Sequence, residues 1–418
     1  MSNPMTTTDP TKPLDLAYEA GSILLENGAE ISRVEETMRR IASHYGVEDE
    51  DLFVLSNGII ATDKNYARSK FIPIKGASLD KVVAVNQLSR EVEQDKCSLE
   101  QLEQKLKQIR AMKAKPAWEQ ILASALGSAA FCIIFGGSFM DCLASCIAGF
   151  VLWVYMLFVA SKYLSRIVGN ITGGLLVTSL CFVMFRLGFG DHLSNMIIGA
   201  IIPLIPGVAF TNGIRDMANE DYIAGVTRLL DAMLTFFCIA LGVALAFMLD
   251  ENIFGKMPVL EGLAADPQTS GYAVQLVAAF VGTVSFAALF GVPRKYYFDA
   301  GFCGMIGWLL YLVLNRRTAM SPAEVVFCAT ALVTLTALLQ STARKCPITV
   351  FLICGIFPLV PGAGIFWTSY NIVSEHLADA LQSGFSALKA TVAIAFGILV
   401  VMELNGKGRI RKWIKKTK

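Results

Sequence analysis

Charge-poor apolar stretches of membrane-spanning length recur along the chain after Glu119. A helix needs roughly 20 apolar residues to cross the hydrocarbon core of a bilayer. The stretches are 120–140, 142–161, 167–185, 193–214, 232–249, 267–293, 300–315, 325–343, 346–374 and 390–402. The two shortest reach spanning length when their flanking residues are included. The sequence therefore predicts an integral membrane protein with ten transmembrane helices.

Charged residues are concentrated at the N-terminal end. The whole chain has 17% charged residues, against about 25% in an ordinary soluble domain. Residues 1–118 hold 34 of its 70 Asp, Glu, Lys and Arg side chains, so this region has the composition of a soluble domain. A formal net charge of +2 gives no basic surface for nucleic acid. Residues 1–13 are polar, lack the apolar core of a signal peptide, and are predicted to be disordered.

A small α+β domain is predicted over residues 14–115. Asn57-Gly58 is a hairpin turn signal, and Ser98 with Gln101 fits an N-terminal capping box. The expected elements are helices at Leu14–Asn27, Glu30–Tyr45, Ser78–Asp95 and Ser98–Met112, a hairpin of Leu52–Leu55 with Ile59–Thr62, and an extended segment at Ser69–Ile74.

The membrane region repeats itself at a fixed offset of 155 residues. We interpret 119–250 and 272–405 as two repeats of five spans each. Because five is odd, the second repeat must start on the opposite side of the membrane, so the repeats are inverted, as in many transporters. The pairs that align at this offset include Pro203–Gly207 with Pro358–Gly362, Gly127 with Gly282, Phe131 with Phe286, and Trp153 with Trp308.

A Pro-x-x-Pro-Gly element interrupts the fourth span and another interrupts the ninth. Each proline removes a backbone donor and clashes with the preceding turn, so both helices should open. Irregular backbone at membrane depth is tolerated where protein or a watery cavity satisfies it, and broken helices at matching positions indicate a substrate site. The alternative is a pair of packing kinks. The residues assigned to binding here are Pro203, Pro206, Gly207, Pro358, Pro361 and Gly362.

Polar residues on neighbouring spans extend this site. Asn170, Thr211 and Asn212 offer neutral donors and acceptors to a small polar substrate, or make helix–helix hydrogen bonds. Ionisable residues within spans are rarer and more often functional. Asp231 and Arg228 are the candidates for proton coupling; alternatively, they form a local ion pair on one helix face.

Lys and Arg residues predict the orientation. They are more frequent in one alternating set of connections and in the basic tail, 406–418. We therefore expect a multi-pass protein of the bacterial cytoplasmic (inner) membrane with both termini in the cytoplasm. The predicted fold is mostly α: ten transmembrane helices in two inverted five-helix repeats, after a small α+β cytoplasmic domain. No metal cluster or cofactor motif is seen.

The N-terminal region resembles the threonine/serine exporter family. The resemblance rests on Asn27-Gly28-Ala29-Glu30 with Arg33-Val34-Glu35-Glu36, on Ser56-Asn57-Gly58, on Ala84-Val85-Asn86-Gln87-Leu88, and on the paired Pro-x-x-Pro-Gly elements. It covers roughly residues 14–405. In some members the two membrane modules are separate subunits, and these split forms include dicarboxylate (succinate) exporters; here both modules are fused in one chain.

The resemblance implies a secondary transporter, not an enzyme, that exports threonine, serine or a related metabolite and is driven by the proton gradient. The alternatives are a dicarboxylate exporter, a passive channel and a membrane-tethered hydrolase. The expected partners are the small-molecule substrate, membrane lipid and the proton gradient, with a homo-oligomer left open and no nucleic acid. Arg33, Glu35 and Glu36 lie on a charged helix face that is either solvated or docks the domain for gating.

Overall fold

The computed structural model describes residues 11–47, 51–63, 66–73, 76–255 and 271–405. These residues form two compact units. The first unit contains the N-terminal region up to Ala114, together with Val208–Leu229 and Arg344–Thr349; the second contains the remaining residues. The first unit therefore includes a segment taken from within the predicted first membrane repeat.

Four helices and three strands make up the N-terminal region. They are α1 (Lys12–Glu26), α2 (Ile31–His44), β1 (Asp51–Leu55), β2 (Gly58–Asp63), β3 (Tyr66–Phe71), α3 (Leu79–Glu93) and α4 (Leu99–Ala111). The predicted capping box at Ser98 and Gln101 is confirmed in both directions. The predicted disordered segment 1–13 extends too far, because α1 begins at Lys12. Pro13 suits the first turn of a helix, where its missing N–H is not needed. Residues 1–10 of that segment lie outside the described residues.

The strands form one antiparallel sheet in the order β1-β2-β3. Leu55 pairs with Gly58, so the hairpin loop is Ser56-Asn57 and not the predicted Asn57-Gly58. Gly58 also pairs with Phe71 and belongs to the central strand. The third strand lies earlier than predicted, because β3 pairs along the whole of β2.

Helices α1 and α2 pack closely where α1 carries a glycine. A Cβ placed on Gly21 would lie 2.3 Å from Met38 Sδ, so a larger residue at this position would require the Met38 side chain to move. Around it Ile23, Leu24 and Val34 are fully buried. Each buried aliphatic side chain of this size contributes roughly 1.5–3 kcal/mol. This packing fixes the short loop that joins the two helices.

The described residues include eight helices that are long and apolar enough to cross a membrane, or up to ten spans when each of two bent helix pairs is taken as one span. They are α5 (Ala117–Ile134), α6 with α7 (Phe139–Tyr155, Ser161–Tyr163), α8 (Arg166–Arg186), α9 with α10 (Leu193–Ile201, Gly207–Ala218), α11 (Tyr222–Phe254), α12 (Tyr272–Leu289), α13 (Tyr297–Arg317), α14 (Pro322–Arg344), α15 with α16 (Thr349–Ile356, Gly362–Val373) and α17 (Leu377–Leu404). Every predicted span overlaps one of these. α11 begins ten residues before the predicted stretch 232–249. The predicted stretch is shorter because it was limited to apolar residues, and the first turns of α11 contain charged residues. Residues 267–270 of the sixth predicted span and the basic tail 406–418 lie outside the described part of the chain.

The helix bounds recur at the 155-residue offset. α5 and α12 are separated by this offset at both their first and last residues, and so are α10 and α16. The 3-10 turns Ile202–Leu204 and Phe357–Leu359 follow the same spacing. The repeat in the sequence therefore corresponds to a repeat of local structure.

Within the second unit, α5 and α12 pack through residues at matching positions. Phe131 and Phe286 meet edge to face with their ring centroids 5.3 Å apart. A Cβ on Gly282 would lie 3.0 Å from the Phe131 ring, and one on Gly127 would lie 3.3 Å from Ser285. Each half thus supplies a glycine against which the other half packs.

The same hydrogen bond, from a tryptophan indole to a glutamine side chain, occurs once in each half. Trp153 Nε1 donates to Gln120 Oε1 at 3.3 Å, and Trp308 Nε1 donates to Gln275 Oε1 at 3.0 Å. Both donor and acceptor are related by the 155-residue offset. Buried indole N–H groups need such a partner, and both halves provide it in the same way.

Candidate functional site

The fourth span is interrupted between α9 and α10. After α9 the chain tightens into a 3-10 turn, and Ile205 is extended, with φ −64° and ψ 129°. The Ile205 N–H donates to the Ile202 carbonyl at 3.0 Å, and the Gly207 N–H donates to the Ile205 carbonyl at 2.9 Å. Pro203 and Pro206 have no N–H, so the regular helical ladder is lost. The predicted break is confirmed; its role in binding stays a prediction.

The ninth span is interrupted in the same way between α15 and α16. Val360 is extended, with φ −65° and ψ 133°. Its N–H donates to the Phe357 carbonyl at 3.2 Å, and the Gly362 N–H donates to the Val360 carbonyl at 2.7 Å. Pro358 and Pro361 occupy the positions of the two prolines in the first break. Both bent pairs turn by more than 40° at the interruption.

The glycines that end the two motifs lie against the opposite half. A Cβ on Gly207 would lie 2.1 Å from Phe357 Cε2. A Cβ on Gly362 would lie 2.6 Å from Ile202 Cδ1. Ile202 and Phe357 are themselves related by the 155-residue offset, so the two contacts are equivalent. The second unit therefore brings its two predicted breaks together.

The predicted polar residues are buried in different places. Asn170 on α8 belongs to the second unit and is 7% exposed. Thr211 and Asn212 on α10 belong to the first unit and are each 1% exposed. Asn212 Nδ2 donates to the Gly28 carbonyl at 2.6 Å, whereas its Oδ1 has no hydrogen-bond partner. The amide nitrogen of Asn212 is thus already bound by the N-terminal region.

The loop Asn27–Glu30, between α1 and α2, accepts hydrogen bonds from side chains of α10 and α11. The Gly28 carbonyl accepts from Asn212, and the Ala29 carbonyl accepts from Arg228 Nη2 at 2.8 Å. Gly28 has φ +83°, a left-handed conformation that favours glycine. The resemblance motif Asn27–Glu30 therefore turns its carbonyls towards α10 and the start of α11.

A buried ion pair joins Glu30 to Arg215 of α10. The two side chains are 2% and 3% exposed, and Arg33 Nε also donates to Glu30 Oε1 at 2.9 Å. Burial disfavours the Glu30 carboxylate, but the positive charges and hydrogen bonds of Arg215 and Arg33 outweigh it and lower the pKa of Glu30 below its ordinary value. The carboxylate is thus kept ionised by two guanidinium groups.

Asp216 caps helix α2 from a distant part of the chain. Glu30 occupies the N-cap position, but its side chain makes no capping bond. Instead Asp216 Oδ1 accepts from the Ile31 N–H at 3.0 Å. Its Oδ2 accepts from Arg228 Nη1 at 2.6 Å, and Asp216 is fully buried. A carboxylate at a helix N-terminus interacts favourably with the helix dipole.

The two residues assigned to proton coupling have separate partners. Arg228 binds Asp216 in the first unit. Asp231 accepts from Arg166 Nη2 at 2.6 Å in the second unit, and this pair is partly exposed. The alternative of a local ion pair between Arg228 and Asp231 is therefore wrong, because each finds an opposite charge on another helix. Their role in proton movement stays a prediction.

The charged face of α2 divides into a buried and an exposed part. Arg33 is partly buried and binds Glu30. Glu35 is half-buried, and burial together with the nearby charge of Asp221 raises its pKa. Glu36 is exposed and pairs with Arg40 four residues later. Of the three residues predicted for docking or gating, Arg33 lies nearest to the contacts with α10 and Glu36 faces outward.

Arg215 and Asp216 are not among the predicted site residues, because they lie just after the predicted fourth span, 193–214. Their spacing from Asn212 was the available signal, because residues three and four apart share a helix face. Among the described residues, no group of three or more His, Cys, Asp or Glu side chains is suited to a metal ion.

Comparison with known proteins adds an independent result. A family model for a threonine/serine exporter matches residues 15–250, and a second model, for the threonine/serine exporter ThrE, matches residues 275–404. A threonine/serine exporter of Corynebacterium glutamicum is 22% identical over 400 residues, which cover 93% of this chain and 81% of that protein. No solved structure matches the chain.

Proposed function

Because the chain belongs to the threonine/serine exporter family, we propose that it exports threonine, serine or a closely related small amino acid across the bacterial cytoplasmic membrane. The observation that carries this proposal is the pair of matched helix breaks, each ending in a glycine that packs against the other half. A transporter needs a site that both faces of the membrane can reach in turn, and matched breaks are typical of such sites.

The repeated helices are proposed to be inverted. Each half supplies five spans when each bent pair counts as one, and an odd number reverses the topology of the second half. The equivalent contacts of Gly207 with Phe357 and of Gly362 with Ile202 support a pseudo-two-fold relation between the halves. In this arrangement both termini lie in the cytoplasm, in agreement with the distribution of Lys and Arg.

The proposed substrate site lies at the breaks Pro203–Gly207 and Pro358–Gly362. Helix α10 starts at Gly207 and α16 at Gly362, and the first-turn amides that follow these two glycines are proposed to meet the substrate carboxylate. The helices that end before each break leave carbonyls for an ammonium group. Asn170, which belongs to the same unit as both breaks, is proposed to add a neutral polar group to the site. A zwitterionic amino acid fits this set of donors and acceptors.

Export is proposed to be coupled to proton entry, with Asp231 as the carboxylate that exchanges the proton. Asp231 is partly exposed, so a proton can reach it, and Arg166 is its partner in the unprotonated state. Arg228 is proposed to act alongside it on the same helix. Arg33, Glu35 and Glu36 are proposed to contribute to gating through the N-terminal region.

Transport by the purified full-length protein in liposomes tests the proposal. We expect labelled threonine and serine to accumulate against their gradients when a pH gradient is imposed, with unlabelled serine competing and succinate not competing. Equilibration without accumulation would indicate a passive pore. Transport of succinate but of neither amino acid would contradict the substrate class, and the comparisons give no support to the dicarboxylate alternative. A membrane-tethered hydrolase would show turnover without net movement.

A further inference from the structure

The N-terminal region and the cytoplasmic half of the broken fourth span form one compact unit, and their contacts have a consequence for transport. We infer that α10 and the start of α11 move together with the N-terminal domain as a single body, which sets the position of the chain next to the first break. Glu30, Arg215, Asp216 and Arg228 are then positioning residues for transport. This inference rests on the proposed export function.

One face of α10 carries four of the contacts. Asn212, Arg215, Asp216 and Asn219 follow one another at intervals of three, one and three residues, so they lie along one side of the helix and its end. They bind the Gly28 carbonyl, Glu30, the Ile31 N–H and Ser32 Oγ in that order, with Asn219 Nδ2 at 2.9 Å from Ser32. Successive residues of one loop and helix start therefore meet successive residues of α10.

The contacts are too deeply buried to separate during a transport cycle. Arg215, Asp216 and Arg228 are 3%, 0% and 5% exposed, and Glu30 is 1% exposed. Pulling α10 away would leave these charges without their partners in a poorly solvated place, which is strongly unfavourable. Within the cluster, the carboxylate of Glu30 pairs with Arg215 and Arg33, and the carboxylate of Asp216 pairs with Arg228. A body held in this way moves as a whole.

One limit of this body falls at the break. The first compact unit includes Val208–Leu229, a segment that begins directly after Gly207 and ends within helix α11. Pro206 and Gly207 end the interruption of the helix, where the backbone lacks regular hydrogen bonds. The residues beside the proposed substrate site are therefore the residues about which a movement of the domain would bend the chain.

The equivalent positions of α16, in the second half, carry no charged side chains. The 155-residue offset places Trp367, Tyr370 and Asn371 of α16 at the positions of Asn212, Arg215 and Asp216. Tyr370 belongs to the apolar core of the second unit, and Trp367 packs against that core. The charged face of α10 is thus specific to the first half, which is the half that follows the N-terminal domain in the chain.

A reversible disulfide tests whether α10 and the domain stay together. Ser32→Cys with Asn219→Cys joins them at an exposed contact, and each single variant is the control. We expect oxidation to cross-link the double variant equally with and without substrate and pH gradient, and to leave threonine transport within about twofold of the reduced protein. A tenfold or greater loss that is reversed by reductant would overturn the inference, because it would show that α10 must leave the domain.

Loss of the contact is the complementary test. Glu30→Gln and Asp216→Asn should lower the maximal transport rate at least fivefold, with little change in the half-saturating threonine concentration and with the protein still monodisperse in detergent. Glu100→Gln, at an exposed position in the first turn of α4, is the matched control. Normal rates in both variants would refute a positioning role. The cross-linking yields test the attachment of α10 to the domain and do not depend on transport. A wrong export proposal would be recognised separately, because the wild-type protein would then not transport threonine.

Discussion

Gly207 and Phe357 are in contact at the point where the two broken spans meet, and a Cβ on Gly207 would lie 2.1 Å from Phe357 Cε2. Phe357 cannot retreat easily, because its ring stacks on Phe286 with the centroids 3.9 Å apart. The contact between the halves at this position therefore depends on the absence of a side chain at residue 207.

Gly207→Ala should impair transport because the added methyl group overlaps the Phe357 ring. Overpacking of this kind costs about 1–3 kcal/mol, and we expect at least a tenfold lower transport rate in liposomes together with a lower melting temperature in detergent. Adding Phe357→Leu to the Gly207→Ala variant should restore part of the transport rate and part of the melting temperature. Gly271→Ala is the control, because a Cβ on Gly271 meets no atom within 4 Å. Equal behaviour of the Gly207 and Gly271 variants would show that the contact is not tight.

Pro206→Ala and Pro361→Ala test the breaks themselves. Alanine restores a backbone N–H and removes the ring clash, which allows the helix to continue through the interruption. We expect each variant to fold in detergent and to transport threonine at less than a tenth of the wild-type rate. Pro116→Ala, at the N-cap of α5 and away from either break, is the control. Normal transport by both variants would mean that the breaks are packing kinks.

The sequence predicted the breaks but not the contacts of α10. Pro203, Pro206 and Gly207 interrupt the helix through their own backbone geometry and hydrogen bonding, so the break can be predicted from these residues alone. The spans could be predicted for a similar reason, since apolar length is a local property. The partners of Asp216 could not be predicted, because Ile31 lies 185 residues away. Arg228 and Asp231 were near each other in sequence, yet each binds a charge on another helix, and only the packing of the helices decides that choice.

Asp231→Asn should separate substrate movement from proton coupling. The amide cannot exchange a proton, so we expect the pH-driven accumulation of threonine to fall at least tenfold, whereas exchange of internal for external threonine without a gradient continues. Uptake and exchange measured in the same liposome preparation give the two rates. Arg166→Gln removes only the partner of Asp231 and should shift the pH dependence without abolishing coupling. Full pH-driven accumulation in Asp231→Asn would exclude this carboxylate.

Acid should weaken the attachment of α10 through Glu30. The pKa of Glu30 in the folded protein lies below its ordinary value of 4.5, because Arg215 and Arg33 outweigh the effect of burial. A carboxylate with a depressed pKa stabilises the fold at pH values above its unfolded pKa, and that stabilisation is lost as the pH falls through the folded pKa. At neutral pH, Glu30→Gln leaves Arg215 without its counter-charge, and we expect the free energy of unfolding to fall by about 3–5 kcal/mol.

The difference in melting temperature between wild type and Glu30→Gln, measured in detergent as a function of pH, isolates this group from the other carboxylates. The difference should be constant between pH 6 and 8, about 1.5 units or more above the ordinary pKa of 4.5, and should shrink as the pH falls below 4.5. Glu36→Gln should show almost no difference at any pH, because Glu36 is exposed and its pair with Arg40 is solvated. A Glu30 difference that stays constant into the acid range would mean that the variant acts through packing alone and that the carboxylate charge does not hold α10.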